Sequence, residues 1–162
     1  MAIYKKSVVA YVDILGFKEA IIENFEPELL QKFVALLKEY ENSLSQVSII
    51  EEKNNIIRLE LKPVITAFSD CMVLSFSDKD QTDSKISWYN LILNIIGILQ
   101  DFAYKMLCHG FLVRGAITSG KLFHERGVVL GPALIEAYEL ESKRAIIPRI
   151  RHGSKRSCFS EQ

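Results

Sequence analysis

The chain opens with a continuous apolar run, "SVVAYVD" from Ser7 to Asp13, whose β-branched and aromatic residues predict a strand buried on both faces. "ILGF" then turns toward a short helical segment, "FKEAIIENF". From Pro27, Leu29, Leu30, Phe33, Leu36 and Leu37 recur at helical spacing, and the proline suits a first turn, so "PELLQKFVALLKEYENSL" predicts an amphipathic helix. "NNIIRLELKPVITAF" alternates as a single strand, Ser69-Asp70 interrupts it and "CMVLSF" resumes, which predicts a strand pair around a tight turn. A long helix over "KISWYNLILNIIGILQDFAYKML" stops near His109-Gly110, where glycine can take the left-handed conformation. "FLVRGAITSG" reads as a strand and "KLFHERGVV" as a hairpin with Glu125-Arg126-Gly127 at its turn. "GPALIEAYELESKR" reads as a helix opened by Gly131-Pro132, and at most one short strand precedes a basic tail from about residue 150.

Strands that first pair directly and are then bridged by helices indicate an α+β fold, with a mostly antiparallel, ferredoxin-like sheet and helices packed on one face. No repeat or low-complexity linker divides residues 1–162, so a single domain is expected. Lysines plus arginines number 20 and so do aspartates plus glutamates, a balance without the electrostatic footprint of a nucleic-acid binder or an anionic-membrane binder. Cys71, Cys108 and Cys158 form no Cys-x-x-Cys pair, and the odd count fits a reducing cytoplasm better than a secreted disulfide framework. Asp13 interrupts the first apolar run too early for a signal peptide. The longest uncharged stretch, Ile86 to Gln100, is shorter than the roughly 20 residues of a membrane span and reads as a buried helix.

Asp13 ends an apolar strand, and a carboxylate there needs solvent, donors or a cation. Such an aspartate ordinarily serves as a turn or cap residue. Asp70, at the tip of the predicted hairpin, changes that reading, because a ferredoxin-like sheet makes the two strands neighbours. Two carboxylates at one sheet edge repel unless a cation lies between them, and Mg²⁺ or Mn²⁺ takes hard oxygen ligands of this kind.

These segments resemble, in order, those of class III nucleotidyl cyclase domains. "VDILGF" is similar to the metal-binding start, "AFSDCMVLSF" to the hairpin with the second metal aspartate, "VRGAITSG" to the next strand, and "VVLGPALIEAYELES" to the late catalytic helix. The resemblance implies that Asp13 and Asp70, with the backbone of Ile14, ligate two Mn²⁺ or Mg²⁺ ions on a nucleoside triphosphate. It implies that amides around Leu15, Gly16 and Phe17 hold the phosphates. It also implies attack of the ribose 3′-hydroxyl on the α-phosphorus with loss of pyrophosphate, in sites between two head-to-tail protomers of a homodimer.

The family's ribose-positioning asparagine and transition-state arginine fall here on Ile135 and Glu139, and its purine-reading lysine and aspartate on Thr66 and Val128. The chain also usually continues with more sheet after the "PRI" segment in this family. A divergent branch fits better: "VDILGF", "FSD" and "GPALIEAYELE" followed by "PRI" resemble the bacterial pyrimidine cyclases of Pycsar anti-phage defence, which make cyclic CMP or cyclic UMP for a separate effector protein. On this reading Arg126, on the hairpin turn, is the candidate for the triphosphate. Arg114 and Arg149 are further cations, and Tyr138 is a candidate at the base or ribose. As plainer roles, Arg114 serves as an ion-pair partner, Arg126 as a solvated turn residue and Tyr138 as a packed aromatic. Two alternatives stand beside the pyrimidine cyclase: a purine cyclase, and a degenerate cyclase fold that binds a nucleotide or a partner without chemistry. His109, His124 and His152 share no metal-ligand spacing and receive no role.

Overall fold

The apolar opening run forms a central strand, β1 (Lys5–Leu15), in the computed structural model, which describes residues 4–22, 27–43, 46–52, 55–61, 63–77, 88–125, 127–145 and 147–153. Helices α1 (Phe17–Ile22) and α2 (Pro27–Ser43) follow, then strands β2 (Gln46–Glu52), β3 (Asn55–Leu61), β4 (Val64–Phe68) and β5 (Cys71–Ser77). The second half comprises α3 (Trp88–Cys108), β6 (Leu112–Glu125), β7 (Val128–Leu130), α4 (Pro132–Arg144) and β8 (Ile150–His152). The main sheet has the order β4-β5-β1-β6-β7 with antiparallel neighbours, and β8 adds to β6 in parallel. This is the expected α+β, mostly antiparallel architecture.

Alternation along β1 divides the core into two layers. Val8, Ala10, Val12 and Ile14 face α2 and α3, where Phe33, Leu36, Leu91, Ile95, Ile98, Leu99, Phe102 and Met106 close the larger layer. The apolar stretch Leu91–Cys108 is long enough to cross a bilayer, but its 3–4-spaced residues from Leu91 to Met106 are at most 1% exposed against the sheet, as in a core helix. Burial on this scale contributes about 1.5–3 kcal/mol for each large side chain.

Val9 and Tyr11 point to the other layer, with Val73, Leu122, Ala133 and Ala137. The expectation of helices on one face therefore describes α2 and α3, while α4 covers the opposite face. The reason lies in the narrow apolar edge of α4, Ala133 and Ala137, which packs on Val9 and Leu122 without needing a wide stripe. A Cβ on Gly120 would stand 3.3 Å from the Ala133 Cβ, and Thr118 Oγ1 donates to the Ala133 carbonyl at 2.8 Å. Gly131 turns the chain into α4 at φ 144°, where a side chain would meet the Lys121 carbonyl at 2.6 Å.

Two local differences from the sequence expectation have simple causes. The segment read as one strand up to Phe68 is divided: β3 pairs with β2 in a separate hairpin, and only β4 joins the main sheet. Pro63 stands between them and has no N–H to give a ladder. The predicted strand and hairpin after residue 110 are one long β6 and a short β7. The first helix ends its described course at Ile22.

Candidate active site

The β4–β5 hairpin closes through Ser69 and Asp70, with Phe68 paired to Cys71. Ser69 takes φ 54°, the left-handed region that two-residue hairpin loops require. This turn places the Asp70 carbonyl against β1, where it accepts the Ile14 N–H at 2.8 Å. Asp13 is paired in register with Cys71 on one side and Arg114 on the other. The two aspartates singled out in the sequence thus meet at one sheet edge. Ligand atoms of Asp13, Asp70 and Cys71 all lie within 4.8 Å of one another.

Asp13 divides its two oxygens between neighbours. Oδ2 accepts from Arg114 Nε at 2.8 Å, and Oδ1 lies 3.8 Å from Cys71 Sγ. The same Arg114 Nε is 2.6 Å from Oε1 of Glu141 on α4, a side chain only 3% exposed. Three carboxylates against one guanidinium leave an excess of two negative charges, which suits a divalent cation. The sulfur is a weak competitor for that role. Burial, offset by the Tyr11 hydrogen bond but reinforced by the charges of Asp70 and Asp13, pushes the Cys71 thiol up to about 11. The two carboxylates supply hard oxygen ligands of the kind Mg²⁺ or Mn²⁺ takes.

A groove of about 510 Å³ runs from this edge along the α4 side of the sheet, lined by Tyr11, Thr66, Asp70, Val73, Leu134 and Tyr138 among others. Tyr11 and Tyr138 meet edge to face at 5.6 Å, and the Tyr11 hydroxyl is 2.9 Å from Cys71 Sγ. Phe68, Ile135 and Tyr138 at its rim are 81%, 61% and 53% exposed.

This architecture is matched among solved structures by an adenylyl cyclase, CyaB from P. aeruginosa, with a TM-score of 0.58, 17% identity, and coverage of 86% of this chain and 72% of that one. The chain has the fold of the adenylyl cyclase CyaB. Two guanylyl cyclase domains also align over 86% of the chain: that of the RhoGC fusion protein of Blastocladiella emersonii, with TM-score 0.47, 14% identity and 75% of its length, and that of RhGC from Catenaria anguillulae, with 0.46, 13% and 74%. No protein-family profile and no curated relative matches the sequence.

Within this cyclase fold the other predicted residues are distributed as follows. Ile14 is buried, while Leu15 and Gly16 form the turn out of β1, with Gly16 at φ 80°. The Phe17 side chain belongs to the core, 4.7 Å from the Phe33 ring, so only its backbone faces the question of phosphate binding. Thr66 and Tyr138 share the groove with Asp70. Ile135 lines it too, and Glu139 lies away on the exposed face of α4, paired with Lys143 at 3.4 Å. Arg149 donates to the Arg144 carbonyl at 2.6 Å, and its own carbonyl accepts the Gly115 N–H at 3.0 Å. Arg126 lies outside the described residues.

Glu141 and Cys71 were not anticipated. Glu141 had a signal: Ala133, Ala137 and Glu141 recur every four residues, which puts Glu141 on the buried edge of α4. His124, given no role from the sequence, is buried between Ser75 and Thr66.

Proposed function

We propose that the chain is a nucleotidyl cyclase domain that converts a pyrimidine nucleoside triphosphate, UTP or CTP, to the 3′,5′-cyclic monophosphate and pyrophosphate. The observation that carries this reading is the meeting of Asp13 and Asp70, with ligand atoms within 4.8 Å, at the mouth of an open groove. Asp13, Asp70 and the Ile14 backbone would hold two Mn²⁺ or Mg²⁺ ions, which when bound supply charge neutralisation for the triphosphate and acidify the attacking ribose hydroxyl.

The protein's own groups do the positioning. Arg114 fixes one oxygen of Asp13 and leaves the other beside the Cys71 thiol, which also lies 3.7 Å from Asp70 Oδ1. The amides around Leu15, Gly16 and Phe17, where β1 gives way to α1, would serve the phosphates, as the resemblance implies. The apolar groove takes the nucleoside, with Tyr138 and Thr66 at the ribose and base. Thr66 and Val128 stand where the class III resemblance puts the purine-reading lysine and aspartate, which favours a pyrimidine. The exposed apolar rim of Phe68, Ile135 and Tyr138 fits a homodimer whose second copy completes each site. The cyclic product would act as a second messenger in antiviral defence, on an effector protein encoded separately.

Incubation of the protein with ATP, GTP, CTP and UTP and Mn²⁺, followed by mass spectrometry of products, tests the reading. A cyclic pyrimidine nucleotide is the expected result. Cyclic AMP or cyclic GMP would favour the purine alternative, toward which the adenylyl cyclase fold points. The pairing of Glu139 with Lys143 favours the degenerate alternative, since a carboxylate there cannot stabilise a phosphorane; nucleotide binding without turnover is its signature.

A further inference from the structure

The groove is mostly apolar beyond Asp70, and along its β4 wall the polar group is the hydroxyl of Thr66. Thr66 is paired with Val73, two residues or roughly 7 Å along the hairpin from the Phe68–Cys71 pair that adjoins the carboxylates. Thr66 and Asp70 thus line one groove, the one the cyclase reading gives to the nucleoside.

Thr66 is not free to rotate. Its Oγ1 lies 2.9 Å from His124 Nε2, and the other ring nitrogen, Nδ1, lies 2.8 Å from Ser75 Oγ. Three strands contribute to this chain of groups: β4, β5 and the far end of β6. Strand β6 continues past Leu122, its last partner of β1 being Lys5, and that extension carries His124 over to the other two. The imidazole is 8% exposed, and Ser75 is 3% exposed. Burial pushes His124 down to about 4, so the ring is neutral and presents one N–H and one lone pair. Each nitrogen faces a hydroxyl that can accept or donate in turn. The ring thus engages one hydrogen bond of Thr66, a residue that also lines the groove.

We propose that His124 is a positioning residue that holds the Thr66 hydroxyl toward the groove, and that this hydroxyl reads the edge of the nucleobase, so that Ser75, His124 and Thr66 together set which base is accepted. The inference rests on the cyclase reading of the same groove. In an apolar groove a mismatched base leaves a buried polar group unpaired, and sites built this way discriminate strongly.

The test compares kcat and KM for ATP, GTP, CTP and UTP in the wild-type protein and in Thr66→Val, His124→Phe and His124→Gln, with binding affinities measured alongside and thermal melting as the control for folding. Thr66→Val and His124→Phe should each reduce the preference for the best nucleotide about tenfold, through a higher KM for that nucleotide and little change in kcat. The double variant should lose no more than either alone. His124→Gln, whose amide can still reach Thr66, should restore part of the preference. Folded variants that keep the wild-type preference, or that lower kcat equally for all four nucleotides, overturn the inference while leaving the cyclase reading intact. Thr66→Val keeps the test decisive if His124→Phe does not fold. A wild-type protein that neither converts nor binds any of the four overturns both.

Discussion

Asp13 and Arg114 face each other across the β1–β6 ladder, Oδ2 to Nε at 2.8 Å, and that Nε is also 2.6 Å from the buried Glu141. One guanidinium therefore ties the candidate metal edge to α4 on the helix-covered side of the groove. Its hydrogen bond to Asp13 and the charges of Glu141 and Asp13 push the Arg114 pKa up against the opposing effect of burial, so it is charged at any relevant pH. Removing the cation leaves two carboxylates, 16% and 3% exposed, without their partner. Loss of one member of a fully buried pair costs roughly 3–5 kcal/mol. Here Arg114 is itself 30% exposed, so Arg114→Ala should destabilise the fold by about 2–3 kcal/mol in urea denaturation. Arg114→Ala combined with Glu141→Gln should recover part of that loss, because the second change removes the stranded buried charge.

Asp70→Asn separates chemistry from stability. The side chain sits at a partly exposed turn, and the asparagine keeps its shape while removing the charge needed by a hard cation. Its main-chain carbonyl still accepts from Ile14. Turnover should fall by at least a hundredfold while the melting temperature changes little. Full activity in this variant would exclude metal ligation by Asp70.

The pair Asp13 and Asp70 was legible in the sequence because Asp13 closes an apolar run and Asp70 falls in the break between two strand-like segments, and the order of elements makes those strands neighbours. Local pattern carried that information. It did not carry partner choice: the alternation of β3 is the same whether it pairs in the main sheet or with β2 in a separate hairpin. For Glu141 the spacing from Ala137 marks a buried position, but nothing in the helix names its partner until Arg114 is placed opposite it. His124 is the extreme case, since its partners lie on two other strands and nothing near it in the chain announces them. Long-range polar contacts of this kind leave no periodic trace.

His124 also makes stability depend on pH. The ring's folded value, about 4, lies below its ordinary value of 6.5 because protonation would place a charge in a buried position. The unfolded chain therefore takes up the proton first as pH falls. The contribution is fully present above pH 6.5 and is lost progressively between 6.5 and 4, reaching about 3 kcal/mol. Urea midpoints measured from pH 7.5 to 4.5 should decline for the wild-type protein over that window. His124→Gln, which has no titrating ring, should flatten this component; an unchanged slope would locate the pH dependence elsewhere.

The last prediction concerns the apolar rim of the groove. Phe68, Ile135 and Tyr138 are more than half exposed and all line one groove, whereas scattered single apolar residues would need no explanation. If a second copy covers them, the purified protein should elute as a dimer whose population rises with concentration. Ile135→Asp and Tyr138→Asp should each shift it to monomer, since a carboxylate buried in an apolar interface is costly. Ile135 is on the exposed side of α4, so Ile135→Asp should keep the wild-type melting behaviour extrapolated to low protein concentration, whereas Tyr138→Asp also loses the ring contact with Tyr11. If each site requires both copies, activity per chain should fall with dilution of the wild-type protein, and in the two variants it should be low at every concentration. A protein that is monomeric yet equally active per chain at all concentrations would show that one copy suffices for the chemistry.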